Sequence, residues 1–347
     1  MQLKKLIIDE NFTVLQAMQN LDITGCKIVF IAPENELKAV ITDSDIRKFI
    51  LKGGKLDEKV CNMANYKPKT LSLNDRRSAK EFLLKNNIDA VPLLDEQGKI
   101  ADIVFISDLD VEICNKLNVP VVIMAGGVGS RLYPYTKILP KPLIPIGEIP
   151  IMEHIINRFV DFGCDKFNII VNYKKGMIKS YFAENVKDYK IDYIDEDIPL
   201  GTGGGLSLLK NKIDETFFLT NCDILIDADY NDIYKYHKEN NNKITMVCAF
   251  KNITIPYGVI NLDDNGEIKD ITEKPQMSFL TNAGMYLIEP EVIDNLNDNE
   301  KIDFTDIMDI YRNKGDKIGV YPISENSWMD MGQLEELDAM RRKLEKN

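Results

Sequence analysis

From Val121 onward the chain alternates short apolar runs with amphipathic stretches, and that alternation admits few folds. VVIMAGG (Val121 to Gly127) reads as a buried strand, IMEHIINRFVDFG (Ile151 to Gly163) as a helix, FNIIVNY (Phe167 to Tyr173) as a strand and MIKSYFAEN (Met177 to Asn185) as another helix. FFLTNCDILI (Phe217 to Ile226), ITMVCAF (Ile244 to Phe250) and NAGMYLIEP (Asn282 to Pro290) add further strands. Strands that alternate with helices need crossover connections, so the expected fold is α/β, a doubly wound, mostly parallel, Rossmann-like sheet. Ligands of such sheets gather at the C-terminal ends of the strands. The first of these strands runs straight into glycines.

That turn opens the segment AGGVGSRLYPYTKILPKPLIPIGEIPIMEHII, Ala125 to Ile156. At Gly126, Gly127 and Gly129 the missing side chains let backbone N–H groups close on phosphate oxygens. Arg131 follows where a fork-shaped cation can reach the same phosphates, and Lys141 stands between two prolines that fix its loop. Two cations thus converge on one polyanion. No GKS or GKT follows the glycines and a third glycine is missing, which excludes a Walker loop and a dinucleotide fingerprint. Further on, TNCDILID sets Asp223 at the end of a buried strand, a natural position for a ligand to Mg2+, which binds through one or two carboxylates plus substrate phosphates.

The joint pattern GGxGxRLxPxT followed by PKPL resembles the signature of the sugar-phosphate nucleotidyltransferases, the pyrophosphorylases that make nucleotide sugars. The resemblance spans residues 119–347, with motifs in the family's order. It implies an enzyme that takes an NTP and a sugar 1-phosphate, uses Mg2+ and releases pyrophosphate. Arg131 and Lys141 would be the catalytic cations. DEDIPLGTGGGLSLL (Asp195 to Leu209) would be the nucleotide-base loop, with the backbone of Gly201 and Gly203 facing the ring. YGVI and EKP would form the acceptor pocket, in which Glu273 takes sugar hydroxyls and Lys274 the sugar phosphate, joined by Asn282. SWMDMGQLEEL matches the family's W-x-D-x-G motif and makes Asp330 the second metal carboxylate beside Asp223, with Trp328 packing to position it. A silent nucleotide-sugar sensor would be expected to lose one of these cations or carboxylates, and all four are present.

Residues 1–116 carry a different signal. IVFIAPENELKAVITDSDIRKFI (Ile28 to Ile50) reads as strand, acidic turn, strand, helix, and VPLLDEQGKIADIVFISDLDVEI (Val91 to Ile113) repeats that order. The offset is 63 residues, so that Thr42 matches Phe105 and Asp45 matches Asp108. Helical stretches precede both copies, VLQAMQNLD (Val14 to Asp22) and SAKEFLLKNN (Ser78 to Asn87). Two copies imply a pseudo-symmetric pair that buries its sheets together. The pattern resembles a tandem CBS pair, which implies a regulatory module binding an adenine nucleotide through Thr42 and Asp45 in one copy and Asp108 alone in the other. Asp45 and Asp108 equally read as helix N-caps that need no ligand. A CBS pair ahead of a compact nucleotidyltransferase is similar to the glucosamine-1-phosphate guanylyltransferases of bacterial legionaminic acid biosynthesis, which implies GTP and an amino-sugar phosphate. Mannose-, heptose- or glucose-1-phosphate with GTP, UTP or dTTP stay open.

A chain of 347 residues exceeds the roughly 100–200 residues of one domain, in keeping with this division at CNKLNVP, Cys114 to Pro120. The formal charge of −12 works against nucleic-acid and anionic-membrane partners. Six scattered cysteines show no metal-ligand spacing, His154 and His237 have no second ligand nearby, and Asp227 and Asp229 read as turn or surface residues. The N-terminus lacks the apolar core of a signal peptide, and no run approaches the roughly 18 apolar residues of a membrane span. The expectation is a cytoplasmic homo-oligomer.

Overall fold

The N-terminal residues fold as two copies of one β-α-β-β pattern. The structure, a computed structural model, describes residues 3–86, 88–109, 116–183 and 188–344. The chain divides into two compact units, Met1–Cys114 and Asn115–Asn347. In the first copy β1 (Ile7–Ile8) lies parallel to β2 (Ile28–Ile31), and β3 (Ala39–Thr42) returns antiparallel. α1 (Val14–Thr24) connects β1 to β2 and α2 (Asp43–Leu51) follows β3. β4 (Leu71–Ser72), α3 (Ala79–Asn86), β5 (Ala90–Leu94) and β6 (Ile100–Phe105) repeat the order and the strand senses.

α1 starts where it does because Thr13 and Gln16 close a capping box, each side chain accepting the other's backbone N–H, and it stops at Gly25 in the left-handed region. The second expected helix opens instead as a 3-10 turn over Leu73–Ser78, and Asn87 lies outside the described residues. Phe30 and Val40 of the first copy pack with Ala90, Ile100 and Ile103 of the second, so the two sheets share one core. After β6 a short 3-10 turn covers Ile106–Asp108, and the helix expected to run to Ile113 lies largely beyond the described residues.

The larger unit opens with β7 (Val121–Ala125), whose end enters the glycine turn. Then come α4 (Tyr135–Ile138), the hairpin β8 (Pro145–Ile146) and β9 (Ile149–Pro150), α5 (Ile151–Asp161), β10 (Lys166–Val171), α6 (Lys175–Ala183) and β11 (Lys190–Asp195). Of the helix expected over Met177 to Asn185, Glu184 and Asn185 are outside the described residues. α7 (Gly201–Gly204), β12 (Phe217–Asn221), β13 (Ile224–Ile226), α8 (Tyr230–Glu239) and β14 (Ile244–Thr254) follow. An exposed hairpin of β15 (Val259–Leu262) and β16 (Ile268–Thr272) leads into β17 (Gln276–Ile288). α9 (Glu291–Asp294), α10 (Phe304–Asn313), β18 (Ile318–Ile323), β19 (Trp328–Asp330) and α11 (Leu334–Leu344) complete the unit.

Seven of these strands form the central sheet in the order β11-β10-β7-β12-β17-β14-β18, and only β17 runs against the rest. The expected doubly wound, mostly parallel sheet is therefore present. Strand alternation sends Val121, Ile123 and Phe218 to one face with Phe159 of α5, and Val122, Phe217 and Leu219 to the other with Phe304 of α10. Both faces are covered, which explains why β7 reads as an unbroken apolar run. The expected strand Phe217 to Ile226 is two strands, because the chain leaves the sheet after Asn221 and pairs elsewhere. Cys26, Cys61, Cys164, Cys222 and Cys248 are free thiols. Among the described residues no helix is long and apolar enough to cross a membrane.

At the end of the sheet away from the glycine turn, His237 is fully buried between Thr245 Oγ1 (2.8 Å from Nδ1) and Glu289 Oε1 (3.0 Å from Nε2). Lys238 Nζ donates to the same carboxylate at 2.7 Å and Thr216 Oγ1 at 3.0 Å. Burial holds the His237 imidazole below its ordinary range. Burial also opposes ionisation of Glu289, but the bonds from Lys238, Thr216 and His237 outweigh it and keep the carboxyl below the usual range. The unfolded chain therefore takes up more protons than the folded unit, first below the ordinary histidine value of 6.5 and then below the glutamate value of 4.5. The urea midpoint, followed by circular dichroism, is expected to fall as pH drops from about 7.5 to about 5.5, and His237→Asn is expected to flatten that slope.

Candidate active site

At the end of β7 the backbone passes through Gly126 and Gly127 to Gly129, which has φ of 68°. A Cβ at Gly129 would lie 3.0 Å from Thr136 Cγ2 and 3.2 Å from Lys141 Cβ, so glycine satisfies both the backbone angle and the close approach. Thr136 Oγ1 donates to the Gly129 carbonyl at 2.8 Å and ties α4 to the turn. Lys141 opens a 3-10 turn between Pro140 and Pro142, and its stem is thereby carried against Gly129. Arg131, exposed in the short 3-10 turn Ser130–Leu132, makes no ion pair among the described residues.

The acidic side of the site comes from a two-stranded ribbon. β13 pairs antiparallel with β19 so that Ile224 faces Asp330 and Ile226 faces Trp328. The Met331 N–H donates to the Asp223 carbonyl at 2.9 Å, which extends the pairing by one step. Asp223 and Asp330, far apart in sequence, thus become neighbours. The Lys141 ammonium forms an ion pair with Asp223 Oδ2, both side chains being mostly buried, 15% and 14% exposed. Burial first, and then the charges of Asp223 and Glu336, push the Asp330 carboxyl up to about 6, against the opposing pull of Lys141 and the Gly332 N–H.

A cavity of about 270 Å³ opens beside the pair, walled by Arg131, Thr202, Asn221, Asn282, Tyr286 and Trp328 as well as the two acids. The donor set suits a hard divalent cation: two carboxylates stand together, and among the described residues no group of three or more His, Cys, Asp or Glu could complete an all-protein cage. The remaining ligands would come from phosphate and water, as Mg2+ prefers.

The other expected site residues fall in several places. Asn282 is in the cavity wall, its Nδ2 donating to Tyr286 Oη at 2.6 Å and its Oδ1 accepting the Gly284 N–H at 2.9 Å. Gly201 and Gly203 owe their bare backbones to packing. A Cβ at either would come within 3.0 Å of the Ile302–Phe304 segment or of Ile307, and the Gly203 N–H is already given to the Ile302 carbonyl at 3.0 Å. Neither glycine is among the residues that wall the cavity. Glu273 and Lys274 are exposed beyond β16 and outside the cavity wall, with Lys274 at φ of 45°. Trp328, expected only to pack, lines the cavity, and its indole N–H has no hydrogen-bond partner among the described residues. Asp229 caps α8 and Asp227 pairs with Arg158 at 2.7 Å, as turn residues do. His154 is structural, its Nε2 lying 2.9 Å from the Ile146 carbonyl.

In the N-terminal unit Thr42 caps α2. Its Oγ1 accepts the Asp45 N–H at 3.1 Å, while the Asp45 carboxylate accepts the Thr42 N–H at 2.9 Å and its hydroxyl at 2.7 Å. Asp45 is thus the far member of a capping box and not the cap itself. Asp108 is likewise not a cap: Phe105 takes that position in the second copy and offers no side-chain bond.

Sequence reasoning missed Glu196. It is 7% exposed, its Oε1 accepts the Leu200 N–H at 3.1 Å, and a Cβ at Gly126 would meet its Oε2 at 2.7 Å. Burial raises its carboxyl above the ordinary value, against the bonds from Leu200 and Asn172. This carboxylate braces the glycine turn against the loop before α7. Thr202 and Asn221 of the cavity wall were also missed, although Asn221 stands only two residues before Asp223.

The sheet is of the doubly wound α/β class, with a glycine turn and a carboxylate ribbon beside it. Residues 120–347 match the family model described as Nucleotidyl transferase, and the chain belongs to that family. It is 31% identical over 221 residues to the mannose-1-phosphate guanylyltransferase catalytic subunit beta of Drosophila melanogaster, covering 61% of this chain and 59% of that one. It is 30% identical over 234 residues to a UTP–glucose-1-phosphate uridylyltransferase of Synechocystis sp., covering 61% and 60%. The chain therefore spans about three fifths of the length of these curated relatives. The crystal structure of HddC from Yersinia pseudotuberculosis shares the fold at a TM-score of 0.52 and 23% identity, covering 65% of this chain and 99% of that one.

Gly129→Ala is expected to cost about 1–2 kcal/mol of folding stability through the left-handed backbone alone, measured as a shift in the denaturant midpoint.

Proposed function

We propose that this chain transfers a nucleotidyl group from a nucleoside triphosphate to a sugar 1-phosphate. The observation that carries the reading is the cavity that Arg131, Asp223 and Asp330 line together, with Lys141 ion-paired to Asp223 at its margin. A phosphate oxygen of the sugar 1-phosphate attacks the α-phosphorus, the bond from that phosphorus to the bridging oxygen breaks, and its electron pair leaves with pyrophosphate. The nucleophile is already ionised at neutral pH, so no side chain has to accept a proton. The demand is alignment of two anions and neutralisation of charge on the leaving group.

The glycine turn and Arg131 hold the triphosphate, Lys141 the α-phosphate and Lys274 the incoming phosphate, with Glu273 and Asn282 on the sugar hydroxyls. Asp223 and Asp330 hold Mg2+, which when bound supplies Lewis-acid neutralisation of phosphate oxygens. GTP and glucosamine 1-phosphate are our preferred pair. The guanylyltransferase name of the Drosophila relative supports guanine, and the uridylyltransferase name of the Synechocystis relative makes UTP the competing choice. The N-terminal unit is read as a CBS pair with one adenine-nucleotide site, at Thr42 and Asp45. The repeated β-α-β-β pattern and the loss of the Thr42 counterpart at Phe105 support a single site.

Pyrophosphate release over a grid of NTPs and sugar 1-phosphates tests the reaction. Release with one pair, lost in EDTA and lowered roughly 100-fold or more by Asp223→Asn, is expected; near wild-type release from that folded variant rejects the site. Lys274→Ala is expected to raise KM for the sugar phosphate more than it lowers kcat. For the N-terminal unit, calorimetry of the full chain with AMP and ATP is expected to give one site per chain, weakened by Thr42→Val. Two equal sites would contradict the asymmetry of the copies.

A further inference from the structure

Lys141 has two anionic destinations, and one of them is already taken. Its ammonium is ion-paired to Asp223 Oδ2. Pro140, Pro142 and the contact with Gly129 fix its backbone end, while the four-carbon stem leaves the ammonium free to swing. Arg131, the cation on the cavity wall, is exposed and unpaired among the described residues, so it does not share the work of compensating the acids.

Two mostly buried carboxylates brought together by backbone pairing would be unfavourable without a counter-charge. A divalent cation directed to the same oxygens has to displace the ammonium or sit beside it. Like charges a few Å apart in a poorly screened cavity repel strongly. Phosphate oxygens of a nucleotide in the adjoining cavity would offer the ammonium an equivalent anionic partner.

We propose that Lys141 is the resident counter-ion of Asp223 and competes with the divalent cation, so that the carboxylate pair takes up metal only when nucleotide phosphates draw Lys141 away. The inference rests on the reading that Asp223 and Asp330 hold that cation. Metal and nucleotide then bind with positive coupling, and by linkage each strengthens the other by the same factor. Metal-free protein keeps its acids compensated, and a metal ion without nucleotide finds the place occupied.

Binding of Mn2+ alone to the full chain, read from the electron paramagnetic resonance of the free ion, tests this without any turnover. Lys141→Met and Lys141→Gln, each checked for folding by near-ultraviolet circular dichroism, are expected to bind Mn2+ roughly tenfold or more tightly than wild type. Lys141→Arg, which keeps the charge, is expected to stay near wild type. Adding Asp223→Asn to Lys141→Met should erase the gain. Equal Mn2+ affinity in wild type and both neutral variants overturns the inference, as does a gain in the arginine variant or one that survives Asp223→Asn. Failure of the underlying reading looks different: Asp223→Asn and Asp330→Asn would then leave both Mn2+ binding and Mn2+-supported pyrophosphate release unchanged.

Discussion

The architecture of the site depends on one short pairing of strands. β13 and β19 exchange hydrogen bonds over only three residue pairs, yet this ribbon is what sets Asp223 beside Asp330. Two acids in a half-buried cleft repel, and the structure answers with a cation delivered from a third direction, Lys141, whose loop is fixed by prolines and a glycine contact. The sheet supplies the frame: β7 and β12 are adjacent and parallel, so the glycine turn and Asp223 emerge at the same edge. Covering both faces of that sheet with helices keeps the edge rigid while leaving its loops to carry the chemistry.

Much of this was legible in the sequence where local pattern is strong. β7 and α5 appear where periodicity placed them, because an apolar run leading into glycines and an i, i+4 apolar face in Ile151, Ile155 and Phe159 have single local solutions. FFLTNCDILI was read as one strand because its composition is continuous. Its break at Cys222–Asp223 is imposed by β19, about a hundred residues later, which no local pattern records. The same limit explains Gly201 and Gly203, whose packing partner Ile302 is equally distant in sequence.

The side chains follow that division. Arg131, Asp223, Asp330 and Asn282, taken from motifs, line one cavity, and Lys141 is ion-paired to one of them, Asp223. Glu273 and Lys274 stand on an exposed hairpin end, where the sequence motif alone carries their assignment. Glu196 escaped notice because DEDIPLG presents three acids, and which one turns inward depends on the register of β11 against β10. In the N-terminal unit the repeat was plain, since two copies of an apolar pattern reinforce one another. The roles within the capping box were not, since Thr42 and Asp45 bond to each other in a geometry that residue types alone do not specify.

Trp328 is the only tryptophan in the chain, and it stands in the cavity wall, on the strand that ends in Asp330. The ammonium of Lys251 lies 6.0 Å from its ring centre, and its indole N–H is without a hydrogen-bond partner among the described residues. The protein's intrinsic red-edge emission therefore originates at one point, within the β13–β19 ribbon. It forms a built-in optical window on the site, undiluted by indole light from the rest of the molecule.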